Sequence, residues 1–266
     1  MDAVQDAPAP GDSAHDDPPR GTDLPEPGDV PSPSWRPSSS APRIPLTQRA
    51  IIEAALRVLD AEGIDGLSMR RVSGELGTGP ASLYGHVRNK EELLQLLHEE
   101  VTGRIELPEP DPQRWHEQLM ELGVRMRAQL NSHRDIARIS LGRIPSGPTI
   151  ARFTEWLFQL LGPVGIPDHV ITKVGDVFGL YVGGYAFEES LGVASPIGGD
   201  LPPEQIMEMF RGYLLSLPVE RFPNVHRVAG ELFDTDFEGR FRFGVDLLLR
   251  GLQTYAEPGP PSAAGN

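Results

Sequence analysis

The sequence predicts an all-α protein. Three observations carry this. From residue 46 onward apolar residues recur with the helical period. No stretch sustains strict alternation, and no Asn-Gly or Asp-Gly joins two β-type runs. Proline, glycine and short polar residues stand where helices should begin and end.

The first helix is expected to start at Thr47 as N-cap, with Leu46 and Ile51 at staple spacing. Ile51, Ile52, Ala55, Leu56, Val58 and Leu59 form its apolar face, and Gly63 ends it. Ser68 opens a second helix, with Leu67 and Val72 as its staple, running to Gly77. Gly77-Thr78-Gly79 makes a tight turn, and Pro80 takes the first position of a short third helix, Pro80 to Val87. Asn89 caps a fourth, Lys90 to about Gly103. Two short helices joined by a glycine turn and packed under a longer one form a helix-turn-helix, whose second helix fits the major groove of DNA.

Further helices are expected at Pro112 to Asn131, Arg134 to Gly142, Thr149 to Leu161, Pro167 to Leu191 and Pro202 to Leu217. The last has Thr235-x-x-Glu238 at capping-box spacing and a charged stripe of Glu238, Arg242, Asp246 and Arg250. The remainder of that helix is apolar on nearly all sides, as is the stretch 177–187. Each must therefore be covered twice, once by its own domain and once by a partner. Helices 167–191 and 235–254 are accordingly the expected homodimer seam, a two-fold four-helix bundle.

Composition narrows the function. The chain has 266 residues, 24 bases, 38 acids and a formal charge of −14. It has no cysteine, which excludes disulfides, thiolate metal sites and cysteine nucleophiles. Its longest uncharged apolar run, Val177 to Phe187, is too short for a membrane span, which needs ~20 residues. The amino terminus does not read as a signal peptide, so a cytoplasmic location is expected. Charge is uneven: residues 1–42 are acidic, whereas 43–90 hold seven bases against five acids. A small basic face inside an acidic protein suits binding to chosen DNA, not indiscriminate coating.

The organisation expected is a disordered acidic, proline-rich tail over 1–45, a helix-turn-helix domain over 46–104, a helical ligand-binding and dimerisation domain over 105–255, and a short tail over 256–266. No cofactor is expected. His98 and His116 lack paired-ligand spacing, and the chain has no nucleophile elbow, phosphate loop or dinucleotide fingerprint. An enzyme is therefore not expected. The competing reading is a helical small-molecule-binding or enzyme domain carrying a vestigial DNA module.

Residues Thr47 to Leu97 resemble the DNA-binding domain of the tetracycline-repressor (TetR) family. The resemblance is carried by Leu76-Gly77, Leu83-Tyr84, His86-Val87, Lys90 and Glu92-Leu93-Leu94. It implies a ligand-responsive regulator, most often a repressor, that binds a near-palindromic double-stranded operator as a homodimer. It also implies that Arg70 reaches a guanine edge, that Pro80, Ala81 and Ser82 face bases, and that Tyr84, His86 and Lys90 contact or orient the backbone. Arg49, Ser68 and Thr78 complete the DNA-facing set. The small-molecule effector is expected among Leu122, Met126, Phe153, Trp156, Phe178, Tyr181 and Tyr185, with the two tyrosine hydroxyls preferred and His133 and Arg138 as weaker polar candidates.

Overall fold

The computed structural model describes residues 46–141, 147–191, 201–232 and 236–256. The expected tails over 1–45 and beyond 256, and the Thr235 cap, lie outside the described residues. Eleven α-helices are described, and no strand occurs among the described residues.

Helices α1 (Gln48–Gly66), α2 (Met69–Glu75), α3 (Pro80–Tyr84) and α4 (Lys90–Thr102) form the amino-terminal head. Thr47, Ser68 and Asn89 cap α1, α2 and α4, each hydroxyl or amide oxygen accepting a backbone N–H of the first turn. Ile51, Val58, Leu59, Leu67, Val72, Leu83, Val87, Leu93 and Leu97 fill one core beneath them. Helix α3 is shorter than expected, ending at Tyr84. Leu83 and Val87 are fully buried and hold it in place, since two turns cannot persist alone.

Helix α1 runs three residues past its expected end, but across a kink. Gly63 has φ +74°, and Leu67 N–H returns to Gly63 O at 3.2 Å. Gly77 in the α2–α3 turn has φ +63°. Both values are accessible to glycine at little cost.

The carboxy-terminal body comprises α5 (Trp115–Leu130), α6 (Ile136–Leu141), α7 (Pro148–Leu161), α8 (Asp168–Leu191), α9 (Pro203–Leu215), α10 (Pro223–Val228) and α11 (Phe237–Gln253). Helix α8 is the spine, packed by α5, α6, α7 and α11. Helix α10 was not expected; its six residues are too few to show a period. The cap of α11 is also a correction: Asp236 stands at N-cap and its carboxylate accepts Gly239 N–H at 2.8 Å.

The apolar surface of α11 divides into two faces. Phe241, Val245, Leu249 and Leu252 are buried in the chain's own core, while Phe243 is 64% exposed and Leu247 54%. Helix α8 divides likewise: Phe178, Val182, Tyr185 and Ala186 point inward, while Val177 is 45% and Leu180 57% exposed. The charged stripe forms as spaced, with Glu238–Arg242 and Asp246–Arg250 pairs at 2.6 Å.

Candidate DNA interface and effector cavity

The head presents the expected short polar residues to solvent. Ser68, Arg70, Pro80, Ala81, Ser82, Tyr84 and His86 are exposed and Thr78 half-exposed. Thr78 Oγ1 donates to Ser82 Oγ at 3.2 Å, tying the turn to the first turn of α3. Ser68 is engaged as a cap, its oxygen accepting Arg71 N–H at 3.2 Å, so its part is to fix the start of α2.

The bases of the head fall into two groups. Arg71 bridges Glu62 at 2.6 Å and Glu75 at 3.1 Å, and Arg57 joins Glu75 at 3.2 Å. Those guanidinium groups, Arg57 first, hold the Glu75 carboxyl below the usual carboxylate range. Arg49 pairs with Glu53 and Arg88 with Glu92, both one turn away. Arg70, by contrast, makes no ion pair among the described residues and is exposed. Its guanidinium alone among the arginines of α1–α4 has no carboxylate to leave before meeting DNA. Lys90 departs from expectation. It is half-buried and its Nζ donates to Ile64 O at 2.8 Å, closing the end of α1. The reason is local: the kink at Gly63 leaves a carbonyl that needs a donor.

A dense clasp joins head to body at that kink. The Asp60 carboxylate accepts Arg134 N–H at 3.0 Å and lies 2.8 Å from His133 Nδ1. Asp135 Oδ2 accepts Ile64 N–H at 2.8 Å, and Arg138 reaches Asp65 at 3.5 Å. Asp135 has φ +60°, the only non-glycine residue in that region among the described residues. His133, in the α5–α6 turn, and Arg138, on α6, the weaker polar candidates for the effector, thus both reach α1. A Cβ on Gly63 would lie 2.8 Å from Asp135 Oδ2 and 3.1 Å from the Arg134 guanidinium. Gly63→Ala is thus expected to cost ~1–3 kcal/mol in urea unfolding, through left-handed strain and a loosened clasp. An unchanged midpoint would remove the clasp from the account.

Behind α4 lies a cavity of about 500 Å³, within the ~300–1,000 Å³ span of small-molecule sites. Leu119, Leu122, Trp156, Ile171, Phe178 and Leu249 are its buried walls. Leu141, Ile150, Thr154, Thr172, Asp176 and Leu180 are exposed at its rim. The Trp156 indole is held by donation of Nε1–H to Pro108 O at 2.7 Å.

Of the expected effector residues, Leu122, Met126, Phe153, Trp156 and Phe178 line this space; Tyr181 and Tyr185 do not. The tyrosines lie on the α8–α11 side. Tyr185 donates to Phe237 O at 2.6 Å and Tyr181 to Phe241 O at 3.1 Å, and both rings pack on Phe241. Burial pushes the Tyr181 hydroxyl pKa up. Their one-turn spacing correctly signals buried hydroxyls with partners, but the partners are backbone carbonyls of α11. Among the cavity residues that sequence reasoning missed are His98 and Glu99 on α4 and Ser140 on α6. Their signal was faint: polar residues on otherwise apolar helical faces.

An exposed, pinned reading helix joined by a clasp to a hollow helical body defines a ligand-responsive, DNA-binding transcription regulator. Two family models match the chain: "Bacterial regulatory proteins, tetR family" over residues 51–97, and "Tetracyclin repressor-like, C-terminal domain" over 107–256. The chain belongs to the tetR family. It is 30% identical over 224 residues to the HTH-type transcriptional repressor DrrR1 of Streptomyces coeruleorubidus, covering 81% of this chain and 80% of that one. It is 36% identical over 215 residues to the class D tetracycline repressor of Escherichia coli, covering 78% and 89% respectively. Among solved structures, ActR of Streptomyces coelicolor in complex with actinorhodin is 39% identical with a TM-score of 0.74, covering 82% of this chain and all of that one. The same protein in complex with (S)-DNPA gives 40% and 0.71.

Proposed function

We propose that this regulator is a repressor that binds a near-palindromic operator as a homodimer and leaves it when a small apolar, aromatic effector fills the cavity behind α4. The observation that carries the reading is the pairing of an exposed α3, anchored in the core by Leu83 and by Val87 just beyond it, with a cavity whose wall includes α4 itself. An occupant of that cavity bears directly on a helix of the head. It shifts the equilibrium by its differential affinity for the two orientations. The tetracycline and DrrR1 repressors and the actinorhodin-bound ActR support both the repressing role and an effector of this kind. The exposed α8 and α11 faces support a two-fold seam that sets two α3 helices ~34–36 Å or slightly more apart. No described helix is long and apolar enough to cross a membrane. The role requires no catalytic step.

A gel-shift titration with the DNA upstream of the chain's own gene tests this. Binding should be sequence-specific and fall steeply with salt. Equal affinity for unrelated DNA at every salt concentration would sink it. In the same assay Arg70→Ala should cost ~1–3 kcal/mol and relax discrimination at one base pair per half-site. A loss equal for all sequences would make Arg70 a phosphate contact instead.

A further inference from the structure

We infer that the effector of this cavity is an uncharged, hydroxyl-bearing ring compound anchored on the Ser140 hydroxyl of α6, which His98 of α4 orients. The inference rests on the effector-binding reading above. Most of the wall is apolar, so a ring body fits it. At the crossing of α4 and α6 the wall becomes polar: His98 Nε2 stands 3.2 Å from Ser140 Oγ, and both residues line the cavity. A serine hydroxyl donates and accepts at once, and a neutral imidazole nitrogen does either. The contact with His98 uses one of those capacities and leaves the Ser140 hydroxyl the other for a ligand hydroxyl, where a bare hydrocarbon offers nothing.

The charges of the described wall disfavour an anion. Its carboxylates are Glu99 and Asp176, and among the described residues no lysine or arginine lines it. Glu99 is fixed there, its Oε1 accepting Thr149 N–H at 2.7 Å and so closing the start of α7. An acid entering this space would lose hydration, find no lysine or arginine among the described lining residues and meet like charge. A neutral phenol or alcohol incurs neither cost. The anchor also has a consequence for control. His98 lies on the helix that ends the head, and Ser140 follows the α5–α6 turn that clasps α1 through Asp60 and Asp135. A ligand hydroxyl bonded to Ser140 therefore meets the residue through which α6 touches α4.

The test is titration of the full chain with naphthol, naphthoate and naphthalene, read by quenching of tryptophan emission, since Trp156 lines the site. Naphthol should bind about tenfold more tightly than naphthalene and at least about tenfold more tightly than naphthoate. Ser140→Ala should bring naphthol to the affinity of naphthalene and leave naphthalene unchanged; His98→Gln gives an independent second variant. Naphthoate binding as tightly as naphthol, or Ser140→Ala weakening naphthol and naphthalene equally, overturns the assignment while leaving the cavity as an effector site. If none of the three binds the wild-type chain, the effector-cavity reading itself falls.

Discussion

Replacing Phe241 with alanine is expected to lower the unfolding free energy by ~3–5 kcal/mol, the largest effect of any single side chain in the body. Phe241 is completely buried on α11. Tyr181 stacks on it at 5.8 Å between ring centroids, and Tyr185 meets it edge-on at 5.1 Å. The Arg127 guanidinium, from α5, lies 4.5 Å from the ring centroid. That guanidinium is itself largely buried, pairs with Glu238 and Glu189, and leaves Nη1 without a hydrogen-bond partner. The face of Phe241 is therefore part of what compensates a desolvated cation. Alanine would remove ring volume from a site where three helices meet and leave Arg127 beside a void. Phe241→Leu keeps much of the volume but not the ring face, and should cost less, ~1–2 kcal/mol. Urea unfolding monitored by circular dichroism distinguishes the two. A loss below ~1 kcal/mol for the alanine variant would show that the surrounding side chains collapse into the space.

The second large effect concerns assembly. Phe243→Glu combined with Leu247→Glu should yield a monomer that keeps its helical content but loses specific operator binding. These two side chains, with Val177 and Leu180 on α8, form the outward apolar faces of the helices that the proposed seam uses. Burying each of them at a two-fold contact would contribute ~1.5–3 kcal/mol. A glutamate in the same position would have to be desolvated without a partner. Neither side chain is buried within its own chain, so folding should survive. Operator affinity should fall by ~10²–10⁴, because two half-sites would no longer be engaged by linked heads. Sedimentation velocity at micromolar concentration reads the first outcome and gel shift the second. A dimer persisting in the double variant would place the seam elsewhere.

These two predictions differ in how visible their basis was. The exposed face of α11 could be read directly: its apolar residues exceed what one side of a helix can bury. That periodicity implies two covered faces whatever covers them. Phe241's position as keystone could not be read. Phe237, Phe241 and Phe243 are equivalent by composition, and only the position of α11 against α5 and α8 sends one inward and leaves the others more exposed. The same holds for the tyrosines. Spacing places Tyr181 and Tyr185 on adjacent turns of α8, but whether that face looks into the cavity or toward α11 depends on a rotation of the helix that period alone does not fix. The cavity's apolar residues were easier to anticipate, because Leu122, Met126, Phe153, Trp156 and Phe178 lie on the inward faces of α5, α7 and α8. Its polar residues were not, since His98 and Ser140 are 42 positions apart and meet only because α4 crosses α6.

Local interactions determined the head from its sequence. Caps at Thr47, Ser68 and Asn89, the staples before α1 and α2, the glycine turn and Pro80 all act over four or five residues, so short-range pattern suffices to set them. What only the tertiary structure decided is where the long-range polar contacts fall: Lys90 on Ile64, Asp60 on the 133–134 turn, Tyr185 on α11. These partners lie 26 to 74 residues apart. Their pairing follows from how buried helix faces rotate and cross to fill one core, a condition on the whole chain that no local segment contains.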